Sequence, residues 1–211
     1  MYASRTDFTI LEKAFVDGSK LKIDNQEITI RVLEAGILKV PGGYIVACDP
    51  FVMVGDTSPF AMKVVPGQYP VQIAVTSYEN GDERIALARI SFSKEKAERW
   101  EIAIFEGQDI NALEEEEEVP AYGVDSATGS FMDKQGAAKL NEKMLTEGYT
   151  DYLFKELDRT YKNTRSWAVI DYGSANIIMF SSGCGDGFYI SYWGYDSSNN
   201  LVSLTTDFEI L

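Results

Sequence analysis

A chain of 211 residues is long enough to bury a substantial core without help from disulfides or metals. Its formal charge of −14, from 33 acidic against 19 basic side chains, disfavours nucleic acid and anionic membrane surfaces, which are held by Lys and Arg. The absence of histidine removes Ser–His and Cys–His nucleophile pairs, imidazole metal ligands and histidine pH switches.

The N-terminus, MYASRTDFTI, has neither a basic nor an apolar leader region, and no apolar run approaches the roughly 18 residues of a membrane span. The expected setting is the cytoplasm, with Cys48 and Cys184 as free thiols. Residues 7–16 place Phe8, Leu11, Phe15 and Val16 on one face of a short helix, capped by Asp7 or Thr6 and ended by Gly18. From Glu27 the period changes: Ile28, Ile30 and Val32 alternate with polar residues in a strand that Gly36 breaks. Pro41-Gly42-Gly43 then turns into a second strand, stopped at Asp49-Pro50. After a loop over 51–59, a short strand at 62–65 leads through Pro66-Gly67 into QYPVQIAVTSY, where Val71, Ile73 and Val75 oppose Gln72, Ala74 and Thr76. Asn80-Gly81 is a strong hairpin signal, and the return strand sets Ile85, Leu87, Arg89 and Ser91 on one face. RWEIAIFE adds a further strand, so the region reads as an antiparallel meander.

Residues 108–118 carry no strand or turn chemistry and end in consecutive glutamates. They read as a solvated loop or an acidic latch for a basic partner, and as the one weak boundary in a single domain of residues 1–211. A short strand then reaches Asp125, followed by a small-residue turn and a helix capped by Asp133, with Ala137, Leu140, Met144 and Leu145 inward. A second helix after Gly148 turns Tyr152, Leu153, Leu157 and Tyr161 inward, and four strands close the chain. The expected fold is α+β: mainly antiparallel sheets packed as a sandwich-like core, with a two-helix insertion around 133–162 and a short N-terminal helix.

Three stretches are dense in special residues. GVDSATGS (123–130) has the form of a backbone cradle for phosphate, with Ser126 and Thr128 as ligand-binding candidates, but lacks the lysine of a GxxxxGK[ST] loop. A tight turn closed by its own side chains is the other reading. VIDYGSANI (169–177) resembles the strand-Asp-x-Gly-Ser phosphate loop of actin-like ATPases, whose two full domains exceed this length. GCGDG (183–187) offers Cys184 and Asp186: a thiol without a basic sequence neighbour, and a carboxylate able to hold a turn or to cluster with Asp49, Asp125 and Asp196. YISYWGYD (189–196) puts Tyr189 and Trp193 on one face and aromatic bulk on the other, fitting either a ligand groove or a strand covered on both sides. The candidate catalytic residues are Asp125, Asp186, Asp49 and Cys184; the ligand-binding candidates are Ser126, Thr128, Tyr189, Trp193 and Asp196. No cofactor and no resident metal is expected, since no calcium-loop or zinc spacing occurs.

The succession CDP (48–50), PF (59–60), PGQYPV (66–71), RIALARI (84–90), GVDSATGSFMD (123–133), SGCGDGFYISYWGYD (182–196) and LTTDFEIL (204–211) resembles the bacterial family catalogued as domain of unknown function 4241. The resemblance covers about residues 35–211 and implies a soluble single domain; it brings no activity, cofactor or catalytic residue with it. Three functional classes stand: a non-enzymatic binding module for a basic protein partner, immunity-like in one form; an Asp-based, metal-dependent hydrolase or phosphate-ester enzyme; and a small-molecule sensor with an aromatic groove.

Overall fold

Alternating apolar residues from Gly67 to Ser91 fold as a hairpin of β4 (Gly67–Ser77) and β5 (Glu83–Ser91), around a turn at Asn80-Gly81. In the computed structural model, which describes residues 8–23, 26–52, 55, 58–78, 80–109 and 120–211, this hairpin is the middle of a curled eight-stranded antiparallel sheet. Its other members are β1 (Lys20–Ile23), β2 (Gln26–Val40), β6 (Arg99–Ile102), β7 (Ala121–Val124), β11 (Gly187–Tyr195) and β12 (Leu201–Asp207), in the order β1-β2-β4-β5-β12-β11-β6, with β7 also on β11. A four-stranded sheet, β3 (Ile45–Cys48), β8 (Thr128–Asp133), β10 (Asn176–Ser181) and β9 (Trp167–Asp171), runs in the order β3-β8-β10-β9.

The two sheets face each other across the main core, in which Val71, Ile73 and Val75 meet Phe131, Ile178 and Phe180. The far side of the smaller sheet is covered by α2 (Lys134–Met144) and α3 (Tyr149–Asp158), which bury Leu140, Leu153 and Leu157 against Val46, Met132 and Ile177. The far side of the larger sheet carries α1 (Phe8–Lys13), whose Leu11, with Ala14 beyond it, packs on Leu87 and Tyr192. The α+β expectation of packed antiparallel sheets with a helical pair and a short N-terminal helix describes this architecture.

Several local expectations change, each for a physical reason. Two β-bulges switch which side chains face inward, because one extra residue reverses a period-2 pattern. At Glu34/Gly36 the bulge keeps β2 running where a break was expected, moving the inward set from the odd-numbered Leu33 to the even-numbered Leu38 and Val40. On β5 the register steps past Ala86, so Ile85 enters the inter-sheet core while Leu87 and Arg89 face α1. The meander holds for β2, β4 and β5, but β6 pairs with β11, since the C-terminal strands β12 and β11 insert between β5 and β6. The Pro41–Gly43 turn carries the chain from one sheet to the other instead of closing a hairpin. Residues 62–65 form no strand; Phe60 alone bridges to Phe105.

β1 and β8 are strands the sequence reading lacked. Asp133 does cap α2, its carboxylate accepting from the Gln135 amide at 2.8 Å. Leu145 lies past the last turn of α2 and is 90% exposed, and Tyr152 and Tyr161 also point outward. The acidic run and weak boundary at 108–118 lie almost wholly outside the described residues, as do the helix caps Thr6 and Asp7.

The link from α3 to β9 is tied to the larger sheet by Glu83, whose Oε2 accepts from Arg165 Nε at 2.6 Å and Arg31 Nη2 at 2.7 Å. Burial pushes the Glu83 carboxyl pKa up, but the Arg165 hydrogen bond and the charges of Arg165 and Arg31 outweigh it and hold it below its ordinary 4.5. A carboxylate with a depressed native pKa stabilises the fold above its unfolded-state pKa, and the contribution fades as pH falls through the native value. Glu83→Gln should therefore lower the unfolding free energy at pH 7 by about 3 kcal/mol, because Arg165 is left buried and unpaired. Urea melts at pH 7 and pH 3 should show the gap from wild type narrowing in acid.

Candidate functional site

The two motif-rich stretches meet. β8 pairs with β10 through Thr128↔Ser181, and β7 pairs with β11 through Val124↔Gly187. The connections Asp125-Ser126-Ala127 and Ser182–Asp186 therefore both cross between the sheets at the same end and lie side by side. The Ser182 amide donates to the Ala127 carbonyl at 3.1 Å, and the Ala127 amide donates to Asp186 Oδ1 at 3.0 Å.

Asp49, directly after β3, closes the assembly from below. It is 0% exposed, and its carboxylate accepts four hydrogen bonds: Oδ2 from the Asp125 and Ser126 amides at 2.9 and 2.8 Å, Oδ1 from the Ser126 hydroxyl and the Phe51 amide, each at 2.8 Å. A buried carboxylate needs its lone pairs filled by donors, and here they are. Ala127 adopts the left-handed region, φ 53°, and Thr128 Oγ1 donates to the Ser126 carbonyl at 3.2 Å.

The second turn is pinned by Tyr189, whose hydroxyl donates to the Gly185 carbonyl at 2.7 Å and lies 3.3 Å from the Ser182 carbonyl. Burial pushes the Tyr189 hydroxyl pKa up, keeping it a donor. Gly183, at φ 51°, brings the chain so near the C-terminal segment that a Cβ there would sit 2.7 Å from the Phe208 carbonyl oxygen. Arg84 adds a donor at 3.4 Å from the Gly183 carbonyl while its Nε bonds Asp82 at 2.8 Å.

This geometry settles what the turn atoms are engaged in. The backbone N–H groups of residues 125, 126 and 127, the donors a phosphate cradle would use, already serve the carboxylates of Asp49 and Asp186. The Ser126 hydroxyl donates to a carboxylate that also accepts from the Phe51, Asp125 and Ser126 amides. The carboxylates are dispersed among turns: Asp49 is buried, Asp125 and Asp186 are exposed, and among the described residues no group of three or more Asp, Glu or Cys is placed to hold a metal ion.

The remaining candidates separate. Trp193 is 2% exposed, packed edge-on against Phe60 and tilted over Phe92, and Tyr189 is 4% exposed against Tyr122 and Phe208. Both rings are buried in the core between the sheets, so neither offers a face to a ligand. Asp196 lies at the opposite end of β11 and holds the 196–200 turn, accepting from the Ser198 and Asn200 amides at 2.9 and 2.8 Å. The Asn200 side chain and these amides lower its pKa. Cys184 is exposed on the second turn, and Cys48 is buried.

Phe188 is the residue the sequence reading passed over. It is 74% exposed, with its ring beside Gly123 on the outward face of the β7–β11 pair. Its signal was present in the alternation that turns Tyr189 inward: Phe188 shares the outward phase of Ile190 and Tyr192 but lies beyond the cover of α1. The result is an apolar ring on a rigid strand end, close to the exposed Asp125 and Asp186.

These features define a two-sheet α+β domain in which a buried aspartate fixes a pair of inter-sheet turns. The chain belongs to the family described as Protein of unknown function (DUF4241), whose model matches residues 38–206 and so contains Asp49, both turns and Phe188. No curated protein and no solved structure matches the chain significantly.

Asp49→Ala should cost about 3–5 kcal/mol, since it strands several buried donors at once. Asp186→Ala, which removes one exposed acceptor, should cost under about 1 kcal/mol. Chemical denaturation of both variants checks the contrast.

Proposed function

We propose that this protein is a non-enzymatic, cytoplasmic binding module that engages a protein partner through the turn pair. The observation that carries the reading is Phe188, a large apolar side chain held 74% exposed on a paired strand. Isolated exposed apolar residues are common on protein surfaces. This one stands on backbone fixed by strand pairing and tied turns, so little conformational freedom remains to be lost on binding. An aromatic anchor rimmed by polar groups is the usual build of an interface hot spot.

The partner is one with a basic face. Asp125 and Asp186 both lie just past the Val124–Gly187 end of the strand pair that carries Phe188, and the net charge of −14 gives an acidic field that speeds encounter with a cationic surface. An immunity-type protein masking a basic toxin face is one form of this activity. The commitment of Asp49, Ser126 and the turn amides to one another supports binding over hydrolysis.

The test is co-purification from native lysate with tagged wild type, Phe188→Ala and the Asp125→Lys/Asp186→Lys pair. Wild type should retain a basic partner in stoichiometric amount. Phe188→Ala should weaken it by about 2 kcal/mol, roughly 30-fold, and the charge reversal should abolish it, with melting temperatures near wild type. A partner held equally by all three proteins would refute the proposed surface.

A further inference from the structure

The outer face of the larger sheet holds a buried cation that the turn-pair reading does not use. Arg89 on β5 is 6% exposed, and burial pulls its pKa down while the Glu12 carboxylate pushes it back up. Its Nη2 donates to the Leu11 carbonyl at 2.9 Å and pairs with Glu12 Oε1 at 3.0 Å. Its Nε donates to Thr205 Oγ1 at 3.0 Å, which orients the guanidinium plane. The Phe15 ring lies 3.9 Å from the guanidinium carbon, and the Trp100 ring 5.5 Å. Around this centre Leu11 and Ala14 fill an apolar floor that includes Ala86, Leu87 and Tyr192, while Phe8 meets Tyr192 edge-on at 5.3 Å.

These contacts divide into two halves. Arg89, Trp100, Thr205, Leu87 and Tyr192 belong to the sheet and lie within the segment matched by the family model, residues 38–206. The groups set around Arg89 from above (Phe8, Leu11, Glu12, Ala14 and Phe15) come from one short segment outside that match, beside a cluster that Leu21, Ile28, Ile30, Ile210 and Leu211 also enter. The segment joins β1 through Asp17, Gly18 and Ser19. Gly18 is left-handed at φ 76° and has nothing within 4 Å of a Cβ position, so the joint is conformationally special but sterically open. The strap is seated as a peptide ligand is seated: a carboxylate and a backbone carbonyl on one guanidinium nitrogen, an aromatic ring over the same guanidinium, and aliphatic side chains in a shallow apolar floor.

We propose that the Arg89 face is a docking site for an acidic segment with an aromatic residue three positions after its acid, filled in cis by residues 8–15 and open to the same segment of a second copy of this chain. A second copy is the fitting occupant because its Leu11, Glu12 and Phe15 carry the groups the face already binds, and because a buried Arg89 without a carboxylate is costly. The chain's own strap competes at high effective concentration, so exchange between copies becomes visible when the closed joint is disfavoured. A β-branched residue at Gly18 does this, since φ 76° strains any residue with a Cβ while meeting no steric clash.

The test uses the full chain and two readouts. In the first, a labelled peptide of residues 8–16 is titrated into wild type and into Glu12→Ala/Phe15→Ala, whose own strap is weakened. The peptide should bind the double variant saturably and about tenfold or more tighter than wild type, because the cis strap occupies the competent state. Adding Arg89→Lys, which keeps the charge but loses the fork, should remove the binding. Absence of saturable binding to a folded double variant, or binding indifferent to Arg89→Lys, overturns the site. In the second readout, native mass spectrometry of Gly18→Val should show a dimer, twice the 23.5 kDa chain mass, whose share rises with concentration and falls when the peptide is added. Gly18→Val that stays monomeric at every concentration while the peptide still binds overturns the second copy as the occupant.

Discussion

A carboxylate withdrawn from water is tolerated only where donors surround it, and the organisation of this molecule around Asp49 follows from that constraint. The strand leading into Asp49 belongs to the smaller sheet; the Asp125–Ala127 turn leaves the larger sheet for the smaller one. By binding the amides of Phe51, Asp125 and Ser126 at once, one side chain fixes how the two sheets are joined at that end. The Asp186 turn then seats on the Ala127 amide, and Tyr189 locks it from the core side. What remains outside is a defined surface of Asp125, Cys184, Asp186 and Phe188. Burial, hydrogen bonding and presentation are thus consecutive links of one chain of causes.

Two buried charges on other faces follow the same logic. Glu83 pairs with Arg31 and Arg165 where the α3–β9 link crosses to the larger sheet, and Arg89 gains its carboxylate partner, Glu12, from the N-terminal segment laid across the outer face. Each group would be costly alone, and each is used to attach a peripheral segment to the two-sheet core. The apolar area between the sheets supplies the driving force for collapse, whereas the buried ions decide which segments end up together.

Legibility in the sequence followed the range of the interaction. The β4–β5 hairpin, the Asp133 cap and the inward Leu140, Leu153 and Leu157 were readable because period and capping are local. The strand order was not: nothing near Ser91 announces that β12 and β11 will separate β5 from β6. Bulges at Gly36 and Ala86 reversed the phase of otherwise clean alternations, and a period-2 argument has no means of placing the extra residue. At the site, Asp49, Ser126 and Asp186 stand out in the sequence, which does not show that Asp49 accepts from the Ser126 amide and hydroxyl while Asp186 accepts from the Ala127 amide. Tyr189 and Trp193 were noticed for their density and are core, while Phe188, one residue earlier, is the exposed ring.

The central claim is that Asp49 holds the 125–126 turn and the Phe51 amide as one rigid unit. Native-state hydrogen exchange of those amides tests it most directly, because such bonds open only with the structure that contains them. The account predicts that the amides of Phe51, Asp125 and Ser126 exchange as slowly as those of β8, and that Asp49→Asn accelerates all three together. Rapid exchange of the three amides in wild type, beside a protected β8, would contradict it.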